Sequence, residues 1–126
     1  MSTPLALVVD DDEDVRMITR LALVKVAGWQ VVDTDRGAKA LDLAREHQPA
    51  VILLDLMMPE MDGIETAQRL LADPATAHIP IVMVTAKKSV GEAQPWDDLP
   101  VAGVVAKPFD PMSLADELVA MLGWQK

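Results

Sequence analysis

The sequence has no cysteine, and aromatic residues make up only 3% of it. Without cysteine there is no disulfide framework and no thiolate metal site, and cysteine usage leaves the redox compartment open. A chain that is 51% hydrophobic with so few aromatics must build its core from Val, Leu, Ile, Ala and Met. Basic residues are scarce too: 11 Lys and Arg against 20 Asp and Glu leave a net charge of −9. That balance disfavours direct nucleic-acid binding, which needs clustered cations for the phosphates. It equally disfavours docking on an anionic membrane. No apolar run approaches the ~18 residues of a membrane span. The N-terminus lacks the basic segment of a signal peptide, and Asp10 ends its apolar stretch after Val9. These absences read as a cytoplasmic protein. The length, 126 residues, fits one domain over 1–126 with a core that needs no staples.

What is present is an alternation of short apolar runs and longer helical patterns. Leu5 to Val9 reads as a buried strand, followed by a helix over Val15 to Ala27 that Gly28 ends. Gln30 to Thr34 is a second strand and Gly37 to His47 a second helix. Val51 to Leu54 is the most apolar strand and stops at Asp55. A helix over Ile64 to Ala72, a strand over Ile81 to Thr85 and a short strand over Gly103 to Ala106 follow. Asp110 is placed to cap a last helix with Pro111 in its first turn. Near-continuous apolar strands separated by helices indicate an α/β, doubly wound, five-stranded parallel sheet with helices on both faces. The stretch Lys88 to Pro100 departs from the pattern: Gly91, Pro95 and Pro100 predict a short or irregular helix. Trp96, inside it, suits core and interface equally.

In such a sheet, ligands bind at the carboxyl ends of the strands. Asp10, Asp11 and Asp12 follow the first strand, and Asp55 the third. Thr85 closes the fourth, and Lys107 with Pro108 follows the fifth. Two carboxylates ~5 Å apart repel by about 3 kcal/mol at an effective dielectric near 20, so the cluster must take up protons or a cation. Oxygen donors without His or Cys favour a hard ion, Mg²⁺ in particular. A carboxylate beside it is a nucleophile suited to phosphorus, with an ammonium and a hydroxyl for the phosphoryl oxygens. Asp12, Glu13 and Asp14 read better as first-turn acids of the helix. His47 and His78 read as exposed and inert, and Met57, Met58 and Met61 as packing.

These residues carry a resemblance. Val8-Val9-Asp10-Asp11-Asp12 with Arg16, Leu54-Asp55-Leu56-Met57-Met58-Pro59-Glu60-Met61-Asp62-Gly63, Thr85-Ala86 and Lys107-Pro108-Phe109 resemble, in order and spacing, the four signatures of the response-regulator receiver domain, of the CheY-like stand-alone type. The resemblance covers essentially the whole chain. It implies a flavodoxin-like sheet of order 2-1-3-4-5, with Asp55 as phosphoacceptor. It implies Mg²⁺ held by Asp10, Asp11, Asp55 and the backbone carbonyl of Met57. Thr85 and Lys107 would engage the phosphoryl group, and the Lys107–Pro108 bond would be cis. The implied partners are a histidine kinase or phosphotransfer protein as donor and a downstream protein target. Such a domain assists its own phosphorylation and dephosphorylation without being a turnover enzyme. Two features depart from the family: Val104 stands where an aromatic is common, and the proline-bearing 88–100 stretch replaces a helix that often belongs to the output surface.

Other readings remain at this stage. A phosphatase of the haloacid dehalogenase type also uses a strand-end aspartate but needs a second Asp two residues on, where this chain has Met57. A phosphorylation-independent adaptor, or a receiver cut from a larger kinase or regulator, would look much the same. Neither G-x-x-x-x-G-K nor G-x-G-x-x-G occurs. From the first strand to a last helix ending near Gly123, the motifs leave no room for an output domain.

Overall fold

The computed structural model describes residues 3–58, 61–86, 96 and 98–124. Five strands are present among the described residues: β1 (Leu5–Val9), β2 (Gln30–Thr34), β3 (Val51–Asp55), β4 (Ile81–Thr85) and β5 (Gly103–Ala106). Four α-helices accompany them among the described residues: α1 (Glu13–Leu21), α2 (Gly37–His47), α3 (Gly63–Ala72) and α4 (Leu114–Leu122). The sheet is parallel throughout, in the order β2-β1-β3-β4-β5, as the resemblance implies.

Alternation along the strands divides the core into two layers. Ala6 and Val8, Val51 and Leu53, Val82 and Val84, and Val105 pack with Leu23 and with Leu114 and Leu118 of α4. Leu7 and Val9, Ile52 and Leu54, and Ile81 and Met83 pack on the other face, against Ala40 and Ala44 of α2 and Ala67 and Leu70 of α3. Burial on both faces is why β3 and β4 read as uninterrupted apolar runs. Trp96, 6% exposed, belongs to the second layer, which decides for core. So does Met58, whereas Met57 is 74% exposed. The remainder of the atypical stretch, residues 87–95 and 97, lies outside the described residues, and with it the expectation of an irregular helix there.

Two helix ends differ from the sequence reading. The first helix does not run as one α-helix to Ala27: α1 starts at Glu13, capped by the Asp12 carboxylate, and passes into a π-helical turn over Ala22–Val26. Its wide turn closes on Gly28, which has φ 76°, and the Trp29 amide donates to the Leu23 carbonyl at 2.8 Å. α4 ends the same way, with Gly123 at φ 71° and the Trp124 amide on the Val119 carbonyl. The two tryptophans delivered by these ends meet with ring centroids 5.6 Å apart. The last helix, moreover, is not capped by Asp110. That carboxylate accepts the Met112 amide in a separate turn, and α4 starts three residues later than the Pro111 reading placed it. No helix among the described residues is long and apolar enough to cross a membrane.

Candidate functional site

Register assembles the site. β1 and β3 pair Val8 with Leu53 and Val9 with Leu54, so Asp10 and Asp55 are the next neighbours past the last pair. Each continues a row of the same sheet face, Asp10 that of Ala6 and Val8, Asp55 that of Val51 and Leu53. β4 and β5 pair Thr85 with Ala106, and the Lys107 amide donates to the Thr85 carbonyl at 2.8 Å. Four sequence motifs thus converge on one rim only because the strands are parallel.

Asp10 is 3% exposed, Asp55 6% and Thr85 4%, while Asp11 is exposed. One oxygen from each of Asp10, Asp11 and Asp55 lies within 4.8 Å of the others. The Lys107 ammonium donates to Asp10 Oδ2 at 2.7 Å and to Asp55 Oδ1 at 3.2 Å, bridging the two buried carboxylates. Burial, and then the Asp10 charge, push the Asp55 carboxyl from 3.8 up to about 6; Lys107 offsets part of that rise. For Lys107 itself burial acts downward, but its bonds to and attraction by Asp10 and Asp55 outweigh it, and its pKa is raised. A buried acid that resists ionising beside a second acid is a site that gains from a cation. Three carboxylates with no nitrogen or sulfur donor fit a hard divalent ion.

Sequence reasoning named the acids, Thr85 and Lys107, and the structure brings them together; the Lys107–Pro108 bond is cis. Met57 stands two residues past Asp55 with its side chain turned to solvent. Missed was the work of Gly63, which reads in sequence as a loop residue. Its amide donates to the Leu56 carbonyl at 2.9 Å, and a Cβ there would collide with the Asp55 carbonyl. The Asp62-Gly63 pair was the available signal: Asp62 caps α3 on the Glu65 amide, and only glycine lets that cap sit against the phosphoacceptor loop of the resemblance. Missed as well was the second partner of Lys107, since Asp10 and Lys107 are far apart in sequence. Beside the rim lies an apolar groove of about 270 Å³ lined by Val15, Ile18, Ala86, Lys107, Pro108 and Phe109.

The family model for the response regulator receiver domain matches residues 6–119. The chain is 30% identical over 120 residues to the polar-differentiation response regulator DivK of Brucella anthropi, covering 95% of this chain and 98% of that one. DivK of Brucella ovis is 31% identical over 121 residues, covering 96% and 98%. Among solved structures, chemotaxis protein CheY4 of Vibrio cholerae superposes with a TM-score of 0.87 at 29% identity, over 96% of this chain and all of that one. A putative response regulator from Chloroflexus aurantiacus gives 0.86 at 28% identity, over 97% of this chain and 99% of that one.

Proposed function

This chain belongs to the response regulator receiver family, and on that premise we propose that Asp55 accepts a phosphoryl group from a histidine kinase or phosphotransfer protein and thereby switches binding to a partner protein. The observation that carries the reading is the Lys107 ammonium shared between Asp10 and Asp55 on a rim with a third carboxylate, Asp11. An Asp55 carboxylate oxygen attacks phosphorus, and the bond from phosphorus to the donor's imidazole nitrogen breaks. The electron pair leaves with the imidazole. Mg²⁺, when bound, supplies positive charge to the phosphoryl oxygens. Asp10, Asp11, Asp55 and the Met57 carbonyl are the groups to hold it. Lys107 pairs with the phosphoryl oxygens, and the Thr85 hydroxyl donates to one of them. The new group adds roughly −1.5 to −2 charge, drawing Lys107 and Thr85 toward it and favouring one packing of the rim over another. The apolar groove at Ile18 and Phe109 offers an incoming donor a surface beside the reacting carboxylate. The chain assists these steps on itself and is not a turnover enzyme.

Mass spectrometry after incubation with acetyl phosphate and Mg²⁺ tests the reading. One added phosphoryl group is expected on wild type and none on Asp55→Asn. Uptake by Asp55→Asn at the wild-type level, or no uptake by wild type from acetyl phosphate or a panel of phosphorylated kinases, would sink it.

A further inference from the structure

Among the described residues, Arg16 is the one arginine that pairs with no carboxylate. Arg20, Arg36, Arg45 and Arg69 all reach Asp or Glu side chains. Arg16 stands one turn into α1, close in sequence to Asp10, Asp11, Asp12 and Asp14, yet its Nη1 donates to a backbone oxygen, the carbonyl of Asp10, at 2.8 Å. That carbonyl belongs to the peptide joining Asp10 to Asp11, so the bond fixes the plane from which Asp11 departs.

The two acids are held in different ways. The Asp10 carboxylate is clamped at both oxygens, Oδ1 by the Asp12 amide at 2.9 Å and Oδ2 by Lys107 at 2.7 Å. Asp11 is exposed, and among the described residues no hydrogen bond holds its carboxylate. Its approach to the other two therefore depends on the direction of its backbone. We propose that Arg16 is a positioning residue for the divalent-cation site: by gripping the Asp10–Asp11 peptide it aims Asp11 at the cluster without touching the ion. The inference rests on the metal reading above.

Arg16 acting only as a tether between α1 and β1 would affect stability and leave cation affinity alone, which separates the two roles. Metal-free wild type, Arg16→Met, Arg16→Lys and Arg20→Met are titrated with MgCl₂ and followed by the amide resonances of residues 10–12 and 55. Urea unfolding is run in parallel without metal. Arg16→Met is expected to bind Mg²⁺ about tenfold more weakly, the scale typical for partners behind metal ligands. The Asp11 amide shift should move even in the metal-free protein. Arg16→Lys, keeping the charge and a donor on another stem, is expected between wild type and Arg16→Met. Arg20→Met removes the same charge from the same helix at a side chain that donates to Asp33, and is expected at wild-type affinity. Wild-type affinity in Arg16→Met, or in Arg16→Lys where the Met variant does not fold, overturns the proposal, as does an equal loss in Arg20→Met. Absence of Mg²⁺ binding by wild type overturns the metal reading itself and this one with it.

Discussion

Asp55 is held in a form that disfavours its own charge. Its carboxyl rises to about 6 because burial and Asp10 both oppose ionisation. In the unfolded chain it ionises near the ordinary 3.8, so between pH 4 and 6 the folded state binds more protons than the unfolded one, and this group's contribution falls as pH rises. Asp55→Asn removes that loss. The variant is expected to gain on the order of 1 kcal/mol at pH 7.5 without divalent ions, after allowance for solvent screening, and little at pH 4. Urea midpoints at the two pH values check this; an equal gain at both would show that charge is not the cause. Lys107 acts in the opposite sense. Lys107→Met leaves Asp10 and Asp55 facing each other with no ammonium between them, and should cost the metal-free protein roughly 1–3 kcal/mol at pH 7.5. Mg²⁺ should then restore more stability to the variant than it adds to wild type, because its competitor for the same carboxylates is gone. A smaller Mg²⁺ effect than in wild type would contradict the arrangement.

The start of α3 is built against the end of β3, and Gly63 is the joint. A methyl group there has the Asp55 carbonyl and the Leu56 backbone in its way, both of them main-chain atoms that cannot swing aside. Gly63→Ala is expected to lose about 1–3 kcal/mol, the usual cost of overpacking, and to slow phosphoryl uptake by displacing Asp55. Ala67→Gly, on the same helix but behind the site, serves as a control that costs stability alone; the two effects are read by urea unfolding and by the rate of uptake from acetyl phosphate. The elements legible in sequence were those whose environment is simple. β3 and β4 are covered on both faces, so Val51 to Leu54 and Ile81 to Val84 form unbroken apolar runs that stop at Asp55 and Thr85. The site residues were legible for the same reason, each marking the end of a strand. The π-helical turn at Ala22–Val26 was not, because apolar spacing within one helix does not distinguish a 13-atom hydrogen-bonded ring from a wider one. Asp110 was misread because an Asp before Pro signals a turn and a helix cap alike, and here the Met112 amide takes the carboxylate first. Lys107 to Asp10 and Arg16 to the Asp10 carbonyl are contacts made by folding, with no sequence spacing to announce them.

At the scale of the molecule, folding gathers part of the −9 charge on one rim. Asp55 is far from the neighbouring Asp10 and Asp11 along the unfolded chain, and folding brings the three carboxylates within one ion's reach. A cation bound there stabilises the fold by mass action, by about 2.7 kcal/mol when its concentration is 100 times its dissociation constant. Protons compete for the same oxygens. Near pH 7.5 Asp55 is already ionised and Mg²⁺ displaces no proton from it; below its value of about 6 the ion must first release a proton, and the apparent affinity falls. The Mg²⁺-induced rise in urea midpoint is therefore expected to be large at pH 7.5, to shrink at pH 5, and to vanish on adding EDTA. NaCl at matched ionic strength separates binding from screening, since screening of a net negative protein gives a gradual rise with no saturation. Asp10→Asn and Asp11→Asn, which each remove one charged donor, should lose most of the saturable part. A rise of equal size at pH 5 and 7.5, or one that NaCl reproduces, would mean that the ion is neutralising the surface at large and that the three carboxylates do not act as one site.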